Sequence, residues 1–197
     1  MNGKTLLASG LLTVCLVHGL GGCAAVVVGG VATGAAVAHD RRTTGTFVED
    51  QEIFVRAVSM YESDDELQQK TNISFEVYNL QVLLTGQAEN MDIVERFRQR
   101  VAAIPRVRTV FNEVTVGAES TWSEATADAY LTSRVKVALF DVGIDGFDPL
   151  RVTVTSSQGS VYLMGLLTPS EANAVTEKVR FVSGVKRVVK LFEYIGQ

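Results

Sequence analysis

From residue 40 onward this chain contains neither cysteine nor histidine. The four examples among its 197 residues, Cys15, His18, Cys23 and His39, all come earlier. Zinc and iron–sulfur sites, Cys–His nucleophiles and Ser–His–Asp triads each need one of these side chains, so they are excluded from the body of the protein. Only carboxylates, hydroxyls and lysines remain, and no spacing singles out a pair of them. We therefore expect no enzyme, no catalytic residue and no metal site.

A strong excess of positive charge is also missing. The formal net charge is −4, and neither half of the chain is markedly basic. Proteins that bind nucleic acid usually carry a basic patch or stripe. The composition therefore indicates no nucleic-acid partner.

Charged residues are absent from one long stretch, Thr5 to Ala38, if His18 is counted as neutral. This stretch is longer than the ~20 apolar residues of a transmembrane helix, which is one interpretation. Glycines interrupt it at seven positions, 10, 19, 21, 22, 29, 30 and 34. Because Lys4 precedes an apolar core that ends near Leu20, residues 1–22 are better explained as an export signal.

The end of that apolar core resembles a bacterial lipobox. Leu20, Gly21 and Gly22 place small side chains beside the bond before Cys23, whereas Cys15 follows the bulkier Val14. The resemblance to bacterial lipoproteins implies a diacylglycerol on the thiol of Cys23 and an N-acyl chain on its amine. No other cofactor is expected. Ala24, rather than Asp, follows the cysteine, and the same resemblance then implies the periplasmic face of the outer membrane.

Residues 23–46 are expected to form the lipidated cysteine and a linker. Ala24 to Ala38 is rich in alanine, glycine and valine, whereas flexible tethers are usually polar. Two interpretations remain open for this segment. It is either a weakly structured apolar lead or a small-residue helix that packs against the bilayer or a partner.

The body of the chain consists of two tandem sequence repeats. Residues 72–86 align without gaps with residues 151–165 at an offset of 79, and residues 104–114 align with residues 182–192 at an offset of 78. Repeats of this kind indicate a duplicated structural unit. We place the units at 47–117 and 120–197.

The sequence pattern of each unit predicts the element order αββαβ. This order indicates an α+β fold in which a three-stranded mixed sheet packs against two helices. In the second unit Leu131, Val135, Ala138 and Leu139 recur at helical spacing, and Thr121 with Glu124 predicts a capping box. A second helix is expected to start at Thr168-Pro169-Ser170-Glu171. The acidic run from Glu62 to Glu66 is expected to be a surface loop.

These residues resemble the BON domain. In each copy a hairpin ends in glycine, at Gly86 and Gly165, and a V-x-x-V strand follows the next helix, at 107–110 and 185–188. The segments 120–122 (STW), 128–135 (DAYLTSRV), 161–168 and 182–188 carry the likeness most clearly. One departure is the five-residue segment 123–127 between Trp122 and Asp128, which lengthens the start of the helix.

Two BON copies behind a lipobox resemble the dual-BON periplasmic lipoproteins of the DolP/YraP family. The resemblance implies a non-enzymatic role, in which BON modules bind phospholipid surfaces and support the integrity of the envelope. An anionic phospholipid membrane is the expected partner. The alternative is an adaptor that docks other envelope proteins on the repeats.

The expected phospholipid-binding residues lie on the first helix of the second unit. Trp122 and Tyr130 fall outside its apolar stripe, and Arg134 and Lys136 supply positive charge. Trp and Tyr favour the interfacial region of a bilayer, and Lys and Arg attract anionic lipid. The alternative for Trp122 is burial between the two units.

Overall fold

A computed structural model describes residues 40–118 and 120–196, which belong to one compact unit. The proposed signal peptide, the lipobox Leu20-Gly21-Gly22 and Cys23 lie outside the described residues. So does the apolar segment of the linker. Two similar halves make up the described part of the chain.

The helices and strands follow the predicted order in each half. The first half contains α1 (Thr44–Glu62), α2 (Asp65–Lys70), β1 (Thr71–Tyr78), β2 (Gln81–Ala88), α3 (Met91–Ala102) and β3 (Thr109–Val116). The second half contains α4 (Trp122–Leu139), a 3₁₀ turn (Pro149–Arg151), β4 (Thr153–Ser157), β5 (Ser160–Leu167), α5 (Pro169–Arg180) and β6 (Arg187–Tyr194). Helix α1 begins inside the segment that was assigned to the linker.

Each half builds its own mixed sheet, in the orders β1-β2-β3 and β4-β5-β6. The first two strands of each sheet are antiparallel and the last two are parallel. A two-residue turn is enough to join antiparallel strands, whereas parallel strands need a long crossover, which α3 and α5 supply. The predicted α+β fold of two αββαβ repeats is confirmed.

The helix starts follow from capping. Thr121 and Glu124 form the predicted capping box at the start of α4, and Thr168 and Glu171 form another at the start of α5. In each box the threonine hydroxyl and the glutamate carboxylate accept backbone N–H groups that the first helical turn cannot use.

Helix α2 replaces the surface loop expected for the acidic run, so that prediction was wrong. The Asp64 carboxylate accepts the N–H of Leu67 and caps the helix, and Leu67 is buried. Lys70 pairs with Glu66 one turn earlier. The acidic residues therefore start a helix, where negative charge is stabilised by the helix dipole.

The described part of the chain has an apolar core in each half and a third core between the halves. Helices α1 to α3 cover one face of the first sheet, and α4 and α5 cover one face of the second. The uncovered faces pack on each other through Tyr78, Leu83, Tyr162 and Met164. Two ion pairs flank this contact between the halves, Arg108 with Glu193 at 2.6 Å and Arg187 with Glu113 at 2.8 Å. Each half therefore buries a face that it would expose alone.

The glycine that ends each hairpin has a steric role. A Cβ on Gly86 would lie 1.9 Å from the carbonyl oxygen of Asn72, and one on Gly165 would lie 2.7 Å from that of Arg151. Gly86 also has a φ of +122°, which side chains disfavour. Glycine at these positions lets the return strand approach the first strand closely.

The last linker residues, Asp40 to Arg42, contact both halves, and we name them the clamp. Arg41 donates two hydrogen bonds to the Glu171 carboxylate, at 2.6 and 2.8 Å, and a third to the carbonyl of Leu166. This bidentate geometry is among the strongest that arginine forms. It attaches the linker to the second half.

Arg42 attaches the same segment to the first half. Its guanidinium donates to Asp40 and to Asp50, and it lies 4.1 Å from the ring centre of Tyr78. Burial, together with the Asp40 carboxylate, raises the pKa of Tyr78 to about 12. The hydroxyl therefore stays protonated and donates to Asp40, while it accepts the N–H of Leu166.

Acid unfolding is expected to depend on Glu171. Burial alone would raise its pKa, but hydrogen bonds from Arg41 and Thr168 outweigh that effect and lower the pKa from 4.5 to about 2. Because the folded value is the lower one, the carboxylate stabilises the fold above pH 4.5, and this stabilisation is lost as the pH falls from 4.5 to about 2. Glu171→Gln should lower the free energy of unfolding by roughly 1–3 kcal/mol at neutral pH. It should also flatten the pH dependence of that free energy between pH 4.5 and about 2.

Urea unfolding at several pH values across the window measures both effects. Glu177→Gln is the control, because Glu177 is exposed on the same helix and its pair with Arg180 is exposed as well. An unchanged pH dependence in Glu171→Gln would contradict the assignment.

Candidate functional site

Helix α4 exposes four large apolar side chains on one face, with the small polar residues Thr126 and Ser133 between them; we name this face the stripe. Trp122 is 88% exposed, Tyr130 65%, Val137 70% and Phe140, the residue that follows the helix, 73%. Since each helical residue turns by about 100°, these four side chains fall within about 80° of one another, opposite Leu131 and its buried neighbours. The exposure of Trp122 rules out its burial between the two halves.

Arg134 and Lys136 lie on opposite sides of this stripe. By the same helical geometry they stand about 160° apart, with the stripe between them. The guanidinium of Arg134 lies 5.8 Å from the ring centre of Tyr130. Lys136 is exposed, on the side that faces Glu76 of the first half. The predicted residues thus form a single surface, with aromatic groups in the middle and a cation at each border.

The two halves differ in how they use positive charge. Every lysine and arginine between residues 40 and 118 has a carboxylate within 4.0 Å; these residues are Arg41, Arg42, Arg56, Lys70, Arg96, Arg98, Arg100, Arg106 and Arg108. Between residues 120 and 196 the described ion pairs include none for Arg134, Lys136, Lys186 or Lys190. Positive charge that is free to meet an anion is therefore found in the second half.

A groove of about 610 Å³ runs beside the stripe. It lies between α4, the β4–β5 turn and the loop that follows α5. Its lining includes Tyr130 and Arg134 from the helix, Gly159 from the turn, and Gly184 and Lys186 from the loop. A second depression of about 500 Å³ shares Tyr130 and Arg134 and reaches Phe181, which is 74% exposed.

The same place in the first half is nearly closed. A shift of 78 residues carries the groove onto a depression of only about 140 Å³, lined by residues of α1 and the loop after α3. Glu52 stands there in place of Tyr130, and Pro105 and Arg106 in place of Ser183 and Gly184. Arg106 forms an ion pair with Glu49 across the opening. The duplication therefore leaves one open groove, in the second half.

An aspartate on the first helix of each half holds the hairpin turn. Asp50 accepts the N–H groups of Asn79 and Leu80, at 2.8 and 2.7 Å. Asp128, 78 residues later, accepts those of Gln158 and Gly159, at 2.7 and 3.1 Å. In the second half this contact fixes the turn that forms one wall of the groove.

The carboxylates in the groove are already engaged by the protein. Hydrogen bonds from the backbone and hydroxyl of Thr121 lower the pKa of Glu124. Both oxygens of Asp128 accept turn N–H groups. These acids therefore serve the helix start and the turn. Lys186 contributes to the lowered pKa of Glu124, but no ion pair within 4.0 Å is described for Lys186 or Arg134.

Sequence reasoning found the four residues on the helix and missed the rest of the surface. Val137, Phe140 and Phe181 were not singled out, although none of them falls at the predicted buried positions. Lys186 was seen only as part of a basic run. The signal for Asp50 and Asp128 was present, since an aspartate recurs at the repeat offset three residues before the first buried helical position.

Residues 40–118 and 120–196 contain no group of three or more His, Cys, Asp or Glu side chains arranged to hold a metal ion. Over the same ranges, no helix has both the length and the apolar character needed to span a bilayer.

Comparison with known proteins identifies the repeat. The BON domain model matches residues 59–118 and again residues 127–196. The chain is 36% identical over 177 residues to the outer membrane lipoprotein DolP of Haemophilus influenzae, which covers 89% of this chain and 90% of that protein. It is 30% identical over 156 residues to the 21 kDa hemolysin of Actinobacillus pleuropneumoniae, with 79% of each chain covered.

A solved structure of the C-terminal domain of CdsD, a structural protein of the type III secretion system of Chlamydia trachomatis, aligns with a TM-score of 0.29. The identity is 10%, over 75% of this chain and 67% of that one. The family assignment comes from the doubled BON match and from the relative that covers nearly the whole chain. This protein belongs to the DolP/YraP family of outer-membrane lipoproteins with two BON domains.

Proposed function

We propose that this lipoprotein binds anionic phospholipid through helix α4 of its second BON domain and thereby supports the integrity of the cell envelope. It is anchored by a diacylglycerol and an N-acyl chain on Cys23, on the periplasmic face of the outer membrane. Each buried methylene contributes about 0.8 kcal/mol, so several chains hold firmly where one holds weakly. The protein acts by binding, without catalysis.

The observation that carries this proposal is the stripe of Trp122, Tyr130, Val137 and Phe140 between two unpaired cations. A helix with an apolar face and basic borders lies in the plane of a membrane interface, with its apolar residues among the acyl chains. Tyrosine and tryptophan settle at headgroup depth. Each cation near an anionic surface contributes about 1 kcal/mol.

The first BON domain braces the second. It has the same fold, but an ion pair closes its groove and each of its described cations is paired. Its sheet covers the apolar face of the second sheet. The duplication thus supplies stability from one copy and a contact surface from the other.

An adaptor role in the envelope is the second candidate, because the depression between Tyr130, Val137 and Phe181 is lined mostly by apolar groups. An apolar depression of this kind fits a protein side chain as well as an acyl chain. The two functions predict different results with pure lipid vesicles. A lipid-binding surface binds them, whereas a protein-docking surface does not.

Trp122 reports directly on the proposed contact, because it is the only tryptophan of the chain. Its indole is exposed to water, so transfer into a membrane interface should shift its emission to the blue. We expect this shift when residues 40–197, which retain the clamp, meet vesicles that contain anionic phospholipid. Neutral vesicles should produce little change.

Fluorescence titration with the two kinds of vesicle measures the effect. High salt should reverse it, since screening weakens attraction between exposed charges. No shift with either kind of vesicle would favour the adaptor, and an equal shift with both would remove the requirement for anionic lipid.

A further inference from the structure

A second, chemically different cleft lies between the two BON domains. Its volume is about 320 Å³, within the range of small-molecule pockets. The outer face of the first sheet, strand β4 and the flank of α4 turned away from Arg134 enclose it. Domain interfaces are frequent positions for ligand sites.

The wall of this cleft is rich in neutral polar groups. Among the described residues, no hydrogen bond is formed by the side chains of Asn72, Ser74, Thr85, Thr132 and Ser157, which all line it. Asp128 is the one charged residue in the described lining, and both of its oxygens are engaged by the β4–β5 turn. The wall therefore suits a polar ligand without net charge.

Ser156 supplies a sharper indication. Its Oγ is buried and has no hydrogen-bond partner, the single such side-chain atom in the part of the chain that the structure describes. The residue at the same position of the first repeat is Val77, which is buried in the first core. Buried hydroxyls are almost always hydrogen-bonded, and Ser156 is among the residues that line the cleft. Rotation of its side chain toward the cleft would let a ligand supply the missing partner.

The free edge of β4 adds fixed backbone groups. Ser157 pairs with Ser160 across a two-residue turn, so Thr155 and Ser157 bond to β5, and the N–H and C=O groups of Val154 and Ser156 point away from it. Within the described residues these groups have no other backbone partner. A strand edge of this kind pairs with an amide that offers both a donor and an acceptor.

We propose that this cleft binds an N-acetylated amino sugar. The acetamido group pairs with the edge of β4, its methyl lies against Ala125 and Ala129 of α4, and the sugar hydroxyls meet the hydroxyl and amide side chains of the wall. The cleft lies on the Lys136 flank of α4, beside the membrane-facing stripe, whereas the 610 Å³ groove lies on the Arg134 flank.

Saturation-transfer NMR on the full lipidated chain in phospholipid nanodiscs tests this, with N,N′-diacetylchitobiose as the probe. We expect transfer to be strongest at the acetamido methyl protons. Cellobiose, which has the same linkage without acetamido groups, should give a much weaker signal. Ser156→Val, which installs the residue of the first repeat, should weaken binding about fivefold, the value of roughly one hydrogen bond.

Ala129→Gln fills the cleft from an exposed helical position and should abolish the signal. Ala102→Gln, the same change on an exposed position of α3 away from the cleft, should leave it intact. Binding that survives Ala129→Gln, or that is equal for cellobiose, would overturn the proposal. So would no signal at all, or an equal signal from a neutral acetylated tripeptide, which would instead indicate a peptide site on the strand edge.

Discussion

Replacement of Asp50 by alanine is expected to lower the free energy of unfolding by about 3–5 kcal/mol, the usual cost of breaking a buried ion pair. Asp50 is 1% exposed. Its carboxylate binds Arg42 at 2.6 Å and accepts the N–H groups of Asn79 and Leu80. The substitution leaves a buried guanidinium with one carboxylate fewer and two turn N–H groups without an acceptor.

The turn makes this loss larger. Asn79 and Leu80 have φ values of 51° and 65°, in the left-handed region. Leucine rarely adopts this conformation, at a cost on the order of 1 kcal/mol, so surrounding contacts must hold it there. The two hydrogen bonds to Asp50 are among those contacts, together with hydrogen bonds from Arg108 to the carbonyls of Asn79 and Leu80. Without the bonds to Asp50 the β1–β2 turn keeps only the restraints on its carbonyl groups and on the Asn79 side chain.

Asp128→Ala is the matched control, because Asp128 also accepts two N–H groups of a hairpin turn but is less buried. Asp128 is more exposed, has no arginine partner among the described ion pairs, and holds a turn that contains Gly159. We expect a loss of about 1 kcal/mol, the value of exposed hydrogen bonds to a turn. Urea unfolding of residues 40–197 measures both variants. Equal losses would show that neither the burial of Asp50 nor its ion pair with Arg42 contributes to the free energy of unfolding.

Much of the fold could be predicted from local sequence. Thr121 with Glu124, and Thr168 with Pro169 and Glu171, mark helix starts because capping acts over three residues. Gly159 marks a hairpin turn by its own conformational freedom. The doubling of the pattern then gave each weak signal a second, independent occurrence. Features whose cause lies within a few residues are therefore readable without a structure.

The clamp could not be predicted in this way. Arg41 contacts Glu171, 130 residues later in the chain, and Leu166, 125 residues later. No local pattern encodes such a contact, and the residues of the clamp sit in a segment whose composition indicates a linker. The contact exists because the two sheets pack face to face, which brings the end of β5 beside the end of β1.

The candidate site was predictable only in part, for the same reason. Trp122, Tyr130, Arg134 and Lys136 lie on one helix, so helical periodicity was enough to place them off the buried stripe. The groove depends on Gly159 and Gly184 from two other segments. The equivalent depression of the first repeat is smaller because Arg106, in place of Gly184, pairs with Glu49 there. That difference became visible when the two copies were compared in three dimensions.

Reversal of both border charges, Arg134→Glu with Lys136→Glu, is expected to weaken binding to anionic vesicles by on the order of 10³-fold. Each cation near the surface contributes about 1 kcal/mol, and reversal replaces attraction with repulsion, so the double variant loses about 4 kcal/mol. Neither residue has a carboxylate within 4.0 Å in the described part of the chain, although Lys136 faces Glu76. Urea unfolding of the double variant therefore checks that the fold is intact before binding is compared.

The matched control is Arg96→Glu with Arg98→Glu, which alters the net charge by the same amount on helix α3. Arg96 pairs with Glu66 and Arg98 with Glu95, so these cations are engaged by the protein itself. Vesicle co-sedimentation at several salt concentrations compares the two variants. If binding followed net charge alone, both would weaken it equally. A loss confined to the α4 variant, together with a shallower salt dependence, would mean that the two free cations beside the stripe make the contact.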